Sequence, residues 1–188
     1  MTNSYRAVIA AVVLAGMAFG GCASAPDLNY YTLDMRASGA EPPPANIEID
    51  RIQVAESLSR TDILIRTSAT EVEYYATDRW VSNIGALVRE KLQSEFGSPL
   101  TGRKTVSLSG EIFGFGQVDT ADGAEAHVKI SVIVSTADAR RSESPLVEKT
   151  YEVSARAASA TPGAVVEALS KGLESVAASI AADIAAAR

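Results

Sequence analysis

Few residues of this chain have the types and spacing that catalysis or metal binding requires. His127 is the only histidine. It alternates with Val128 in a predicted strand, so we expect it to be exposed and solitary rather than a metal ligand or a general base. Gly114-Phe115-Gly116 lacks the third glycine of a dinucleotide-binding loop and favours a strand bend or a close backbone contact. Asp119 and Asp122 lack the spacing and closing glutamate of a calcium loop. The sequence therefore predicts no metal, no cofactor and no enzymatic activity.

The remaining reactive side chain is the single cysteine, Cys22, which ends an uncharged and mostly apolar run from Ala7 to Gly20. A cation at Arg6, an apolar middle and small residues before a cleavage point are typical of a secretory signal. The stretch Phe19-Gly20-Gly21-Cys22 resembles a bacterial lipobox, with Phe19 where leucine is preferred. The resemblance implies that Cys22 is acylated, palmitate being one such acyl group, and becomes the mature N-terminus.

These signals divide the chain into three parts. We expect a lipoprotein signal peptide over residues 1–21, a lipidated tether over 22–29 and a single domain over 30–188. A plain signal peptide with an incidental cysteine and a retained membrane helix are the alternatives. The apolar run falls short of the roughly 20 residues that a spanning helix needs.

The charge balance restricts the partners. The chain has 17 Lys and Arg against 23 Asp and Glu, and loss of Arg6 with the leader changes the net charge from −6 to −7. This argues against nucleic acid, whose binding depends on neutralising phosphates. In Gram-negative lipoproteins an aspartate after the cysteine favours retention in the inner membrane, so Ala23 implies the outer membrane.

The apolar periodicity predicts strands both before and after a central helix in the sequence. Four early strands are predicted at Tyr30–Leu33, Ile47–Val54, Ile63–Ile65 and Glu71–Tyr75. Three later ones alternate apolar and polar residues around 106–112, 128–134 and 147–155, with a hairpin at Asp122-Gly123. The apolar residues of 47–54 change parity near Asp50-Arg51, which predicts a bulge.

Two amphipathic helices complete the pattern. The first is predicted to begin near Asp78 as N-cap, with Trp80, Ile84, Val88, Leu92 and Phe96 on one face. The second begins at Thr161 with Pro162 in its first turn. The order ββββ-α-βββ-α predicts a two-layer α+β domain, a mainly antiparallel sheet covered on one face by both helices.

Two stretches carry a family resemblance. One is Tyr30-Tyr31-Thr32-Leu33-Asp34; the other runs from Ile49 to Ile63 and continues through Val72-Glu73-Tyr74 to Asp78-Arg79-Trp80-Val81. Together with the lipobox they resemble the ABC-type transport auxiliary lipoproteins, the group that includes paraquat-inducible protein C. A departure is Ala55-Glu56-Ser57-Leu58, where many relatives carry a proline and an aromatic residue.

The resemblance implies a non-catalytic outer-membrane subunit of an envelope lipid-transport system. Its partners would be a mammalian-cell-entry (MCE) substrate-binding protein and the associated ABC permease and ATPase, which the lipoprotein docks at the periplasmic face of the membrane. Self-association into a homo-oligomer stays open. We hypothesise a partner-binding surface, or its support, formed by Tyr30, Tyr31, Leu58, Arg60 and Trp80, since Arg and Tyr are enriched at interface hot spots. The alternative for Tyr31 and Trp80 is a core position.

Two other functions fit the same layout. One is an assembly or plug lipoprotein for an outer-membrane protein, and the other is a periplasmic carrier that holds an acyl chain between sheet and helices. The sequence does not identify the transported lipid or the direction of transport.

Overall fold

The computed structural model describes residues 26–40, 43–137 and 144–187; Cys22 and the predicted signal peptide lie outside these ranges. In chain order the described elements are β1 (Asn29–Tyr31), β2 (Asn46–Val54), a 3-10 turn (Glu56–Leu58), β3 (Asp62–Arg66), β4 (Val72–Trp80), α1 (Ile84–Phe96), β5 (Thr105–Thr120), β6 (Gly123–Thr136), β7 (Val147–Arg156) and α2 (Pro162–Ala186). The predicted order of strands and helices is confirmed.

One mixed sheet contains all of these strands, in the order β1-β4-β3-β5-β6-β7, with β2 also paired to β5. The β5-β6-β7 meander is antiparallel, and its first turn brings Thr120 opposite Gly123, as the hairpin signal predicts. Gly123 has a φ of 132°, a value that L side chains rarely adopt. Strands β2 and β3 are both parallel to β5 and lie one after the other along the same side of it.

The segment between β2 and β3 is not part of the sheet, and it lies opposite a shift of register in β5. The register of β2 shifts between Ile49 and Arg51, which confirms the predicted bulge, and that of β5 shifts between Ile112 and Gly114. Beyond it, a Cβ on Gly116 would lie 2.5 Å from the carbonyl oxygen of Leu64. The glycine motif therefore permits close backbone contact between β5 and β3, as the sequence indicates.

Both described helices cover the same face of the sheet, as predicted. The inward residues of β6, among them Val128 and Ile130, are fully buried, and Val128 contacts Gly172 of α2. The apolar stripe of α2 is buried along its whole length; its members are Val165, Leu169, Leu173, Val176, Ile180 and Ile184. Burial of each such side chain contributes about 1.5–3 kcal/mol, so this interface dominates the stability of the domain.

The predicted start of the first helix is wrong. Residues Asp78 and Trp80 belong to β4, which extends the predicted Glu71–Tyr75 strand, and α1 begins only at Ile84. The side chain of Asn83 caps α1 by accepting a hydrogen bond of 2.8 Å from the backbone N–H of Gly85. Spacing by four from Trp80 to Ile84 mimics a helix, but pairing with β1 and β3 holds Trp80 in a strand.

A buried ion cluster ties the segment after β1 to both helices. Lys91 of α1 is fully buried, and its Nζ lies 2.6 Å from Glu95 Oε1 and 2.8 Å from Glu174 Oε1 of α2. The same ammonium donates to the carbonyl oxygen of Arg36 at 2.6 Å. Glu95 also accepts hydrogen bonds from Ser38. Although burial opposes the charge of Lys91, its bonds to Glu174 and Glu95 raise its pKa.

Candidate docking surface

A row of side chains crosses the three strands at the β1 edge of the sheet. Tyr30 of β1 is in register with Arg79 of β4, and Arg79 is in register with Asp62 of β3. Because Trp80 points into the core, the neighbouring Arg79 projects from the opposite face, away from the helices. Its Nε lies 3.3 Å from Asp62 Oδ1. The row thus places an exposed tyrosine next to an arginine and a carboxylate.

The loop before β3 adds a second cation to this row. Arg60 Nε donates to Asp62 Oδ2 at 3.1 Å, and its guanidinium lies 4.7 Å from the centre of the Tyr74 ring. Tyr74 in turn donates its hydroxyl to the carbonyl oxygen of Ser57 in the 3-10 turn, at 2.9 Å. The Arg60 side chain is 60% exposed despite these contacts. Two guanidinium groups therefore share one carboxylate, which leaves a local positive charge on an acidic protein.

The structure separates four of the five predicted site residues into two groups. Tyr30, which is 61% exposed, and Arg60 are open to solvent. Trp80 and Leu58 are buried, at 2% and 6%, and the Trp80 ring packs 5.8 Å from that of Phe115. These buried residues can support a partner surface but cannot form its outer layer. Their part in partner binding stays a prediction.

Tyr31 has a supporting position at the edge of the core. Its hydroxyl donates to Asp78 Oδ1 at 3.0 Å, and Asn29 Nδ2 donates to the same oxygen at 3.0 Å. Thr77 donates to the other oxygen of Asp78. Burial opposes ionisation of Asp78, yet these donors lower its pKa, while burial and the Asp78 hydrogen bond raise that of Tyr31. This network fixes β1, and with it Tyr30, against β4.

Arg79 is a member of this surface that the sequence pattern does not identify. The pattern places Arg79 in the opening of a helix, which gives no reason to put it beside Arg60 or Tyr30. The run Val72–Trp80 contains many β-branched and aromatic residues, and that composition is the signal that could have identified a strand.

The expectation that His127 is solitary is wrong. Its Nε2 lies 2.8 Å from Glu152 Oε1, and Lys129 Nζ lies 2.9 Å from the other oxygen of Glu152. Hydrogen bonds from Lys129 and His127 lower the pKa of Glu152. Pairing of β6 with β7 brings these side chains together on the face away from the helices. Across the described ranges, three or more potential metal ligands do not come together anywhere.

Comparison with protein families gives a match over residues 31–181 to the model described as ABC-type transport auxiliary lipoprotein component. The chain belongs to this family. As an auxiliary lipoprotein of the ABC-type transport family it is associated with the cell envelope and with transporter complexes. Comparison with curated proteins finds no match.

Solved structures similar to this family member share its fold. An uncharacterized protein has a TM-score of 0.65 at 15% identity, and the match covers 85% of this chain and 99% of that one. Protein XCC0632 from Xanthomonas campestris, of family DUF330, has a TM-score of 0.64 at 12% identity, with coverage of 82% and 92%. At such identities the likeness concerns the fold alone.

The acylated residue would be Cys22, which lies outside the described residues. None of the described helices has the length and apolar character required to cross a bilayer.

Proposed function

We propose that this chain is a non-catalytic, lipid-anchored subunit of an MCE-type envelope lipid-transport system, which it docks at the periplasmic face of the outer membrane. The observation that carries the proposal is the family match over residues 31–181. The lipobox-like sequence ending at Cys22 and the residue Ala23 after it support the outer-membrane location. The partners are the MCE substrate-binding protein and its permease and ATPase complex.

The position of the docking surface agrees with this role. β1 begins at Asn29, so only residues 22–28 of the predicted tether precede the strand that carries Tyr30. Seven extended residues reach about 25 Å. An acylated Cys22 would therefore keep the start of β1 within about 25 Å of the lipid headgroups, and the neighbouring surface of Tyr30, Arg60 and Arg79 close to the membrane that a partner would approach.

The chemistry of the surface suits an acidic partner patch. The Arg60 and Arg79 guanidiniums flank Asp62 but keep further donors, which can form bidentate bonds with a carboxylate. The mature chain is expected to have a net charge of −7, so this positively charged site differs in sign from the protein as a whole. Exposed Tyr30 adds apolar area beside the cations, the combination found at interface hot spots.

Replacement of Arg60 by Glu tests the surface in a pull-down of the MCE partner from detergent-solubilised envelopes. The change places a carboxylate beside Asp62, and we expect capture of the partner to fall about tenfold or more. Arg156→Glu is the matched control, because Arg156 is exposed and lies on β7 at the other edge of the sheet. Unchanged capture by the Arg60 variant counts against this site.

A second candidate function, the lipid carrier, is favoured by one cavity. A space of about 870 Å³ lies where β5 begins and α2 ends, and Val106, Leu146 and Ile184 supply apolar lining. This volume falls within the range of small-molecule sites. Its position differs from the predicted site between sheet and helices, where buried side chains fill the core. Native mass spectrometry of the purified protein would show bound lipid if the chain is a carrier.

A further inference from the structure

Over its first half, β2 has a neighbouring strand on one side only among the described residues. Within the described chain β2 pairs only with β5, and the backbone N–H of Asn46 donates to the carbonyl oxygen of Lys104 at 2.9 Å. In a parallel ladder alternate residues bond to the same neighbour, so the register directs the backbone groups of Ile47 and Ile49 to the other side. These groups form a sheet edge that can accept another strand.

A cavity of about 770 Å³ lies along this edge. Ile47 and Ile49 line it on the β2 side, Arg89 and Gln93 on the α1 side, and Ser98 and Pro99 beyond the end of α1. Neighbouring strands in a sheet lie about 4.8 Å apart, so a strand added here would lie within the cavity.

Arg89 gives the cavity a defined polarity. Its Nη2 donates to the carbonyl oxygen of Ile49 at 3.0 Å, so this carbonyl already has a partner. The N–H of Ile49 and both backbone groups of Ile47 point to the same side without a bond to β5. Exposed Arg89 keeps further N–H donors, and its planar fork suits a carboxylate. Glu48, the acidic residue of this stretch, also lines the cavity, although its side chain alternates to the face of β2 opposite to Ile47 and Ile49.

We propose that this cavity binds the extended C-terminal segment of a partner protein, added parallel to β2, with its terminal carboxylate at Arg89. In this arrangement Ile47 donates to one peptide carbonyl and accepts from the N–H of the last peptide residue. The terminal carboxylate accepts from the N–H of Ile49 and from Arg89. The N–H and carbonyl groups of Ile47 and the N–H of Ile49 thereby each gain a hydrogen-bond partner. The Ile49 carbonyl keeps its hydrogen bond from Arg89. The mode is β-strand addition, in which main-chain hydrogen bonds provide affinity.

Amide NMR of the full chain in detergent micelles tests the proposal with two probes. One is an equimolar pool of random hexapeptides with free C-termini, and the other is the same pool with amidated C-termini. We expect the free-acid pool to shift the amide signals of Ile47 and Ile49 and the amidated pool to leave them in place. Equal shifts with both pools, or no shift with either, overturn the proposal.

Two variants separate the groove from general effects of mutation. Ile47→Pro removes one free donor without removing a β2–β5 hydrogen bond, and proline is tolerated on edge strands. Arg89→Ala removes the cation. Arg89→Ala should weaken binding of the free-acid pool by about tenfold or more, as expected for one hydrogen bond to a charged group. Ile47→Pro should weaken it by about two- to tenfold, because the bond that it removes joins two neutral groups. Arg51→Ala, on the same strand but outside the cavity, is the control and should bind as the unmodified chain does. Retained affinity in both groove variants contradicts the proposal.

This inference stands apart from the proposed function. The groove lies beside β2 and α1, whereas the candidate docking surface consists of residues of β1, β3 and β4 and the loop before β3. Loss of peptide binding with intact MCE capture, or the reverse, would reject one of the two without affecting the other.

Discussion

Replacement of Lys91 by Met should expose how strongly the segment after β1 depends on the buried ion cluster. The variant keeps the length of the side chain but leaves Glu95, whose side chain is only 4% exposed, without its cation. Removal of one partner of a buried ion pair costs about 3–5 kcal/mol. For a domain of this size we expect the midpoint of thermal unfolding to fall by roughly 6–20 °C. Circular dichroism of a leaderless Cys22→Ser form provides the measurement.

The pH dependence of this loss distinguishes an ion pair from simple packing. Burial opposes the charge of Glu95, but bonds from Lys91 and Ser38 lower its pKa, so its contribution to stability is lost as the pH falls through that lowered value. In the Lys91→Met form Glu95 can be protonated, which removes the cost of a buried anion. The difference in unfolding free energy between the two forms should therefore shrink as the pH falls, beginning above the ordinary glutamate pKa of about 4.3 and continuing through the lowered value. A constant difference from pH 7 to pH 3, or one below about 1 kcal/mol at pH 7, would refute the electrostatic explanation.

Three further predictions follow from burial, backbone contact and the lipobox. Trp80→Ala should cost about 3–5 kcal/mol in urea denaturation, as for a core aromatic residue, whereas Tyr30→Ala should change stability by less than about 0.5 kcal/mol; equal effects would contradict the assigned burial. Gly116→Ala should destabilise the domain because its new methyl group meets the β3 backbone, while Gly163→Ala, whose methyl would have ordinary contacts, should not; a neutral Gly116→Ala change would show that the strands can separate freely. Cys22→Ser should abolish metabolic labelling with an alkyne fatty acid and move the chain from the membrane to the soluble fraction, and unchanged labelling would exclude acylation at that residue.

Local periodicity is sufficient to predict most of the fold. In β6 every second residue is buried, and in α2 the buried residues recur about every four positions. Both patterns can be recognised from neighbouring residues in the sequence. The bulge near Asp50 is also predictable, because apolar residues of both parities can face one core only if the strand contains an extra residue. These features need no knowledge of the strand order.

Features that depend on distant partners could not be predicted in the same way. The composition of Val72–Trp80 can indicate a strand, but nothing local to Trp80 specifies that β1 and β3 are the strands that pair with it. The wrong helix start also conceals Arg79, since only the strand assignment places it beside Tyr30. Likewise, Glu152 reaches His127 only through the β6–β7 register. The types of Arg60 and Tyr30 thus identify them as candidate interface residues from the sequence. Their positions relative to each other depend on long-range strand pairing and could not be predicted.

We propose that an anchored, non-catalytic chain holds an envelope lipid-transport machine at the membrane through its β1 edge. Photo-crosslinking in cells tests it most directly, with a crosslinking amino acid at Tyr30 and, as control, at Ser154 on the opposite edge strand. Mass spectrometry of the products should identify an MCE substrate-binding protein from position 30 and little of it from position 154. Attachment of an outer-membrane β-barrel protein at position 30, with no MCE protein, would contradict the account and favour the assembly role instead.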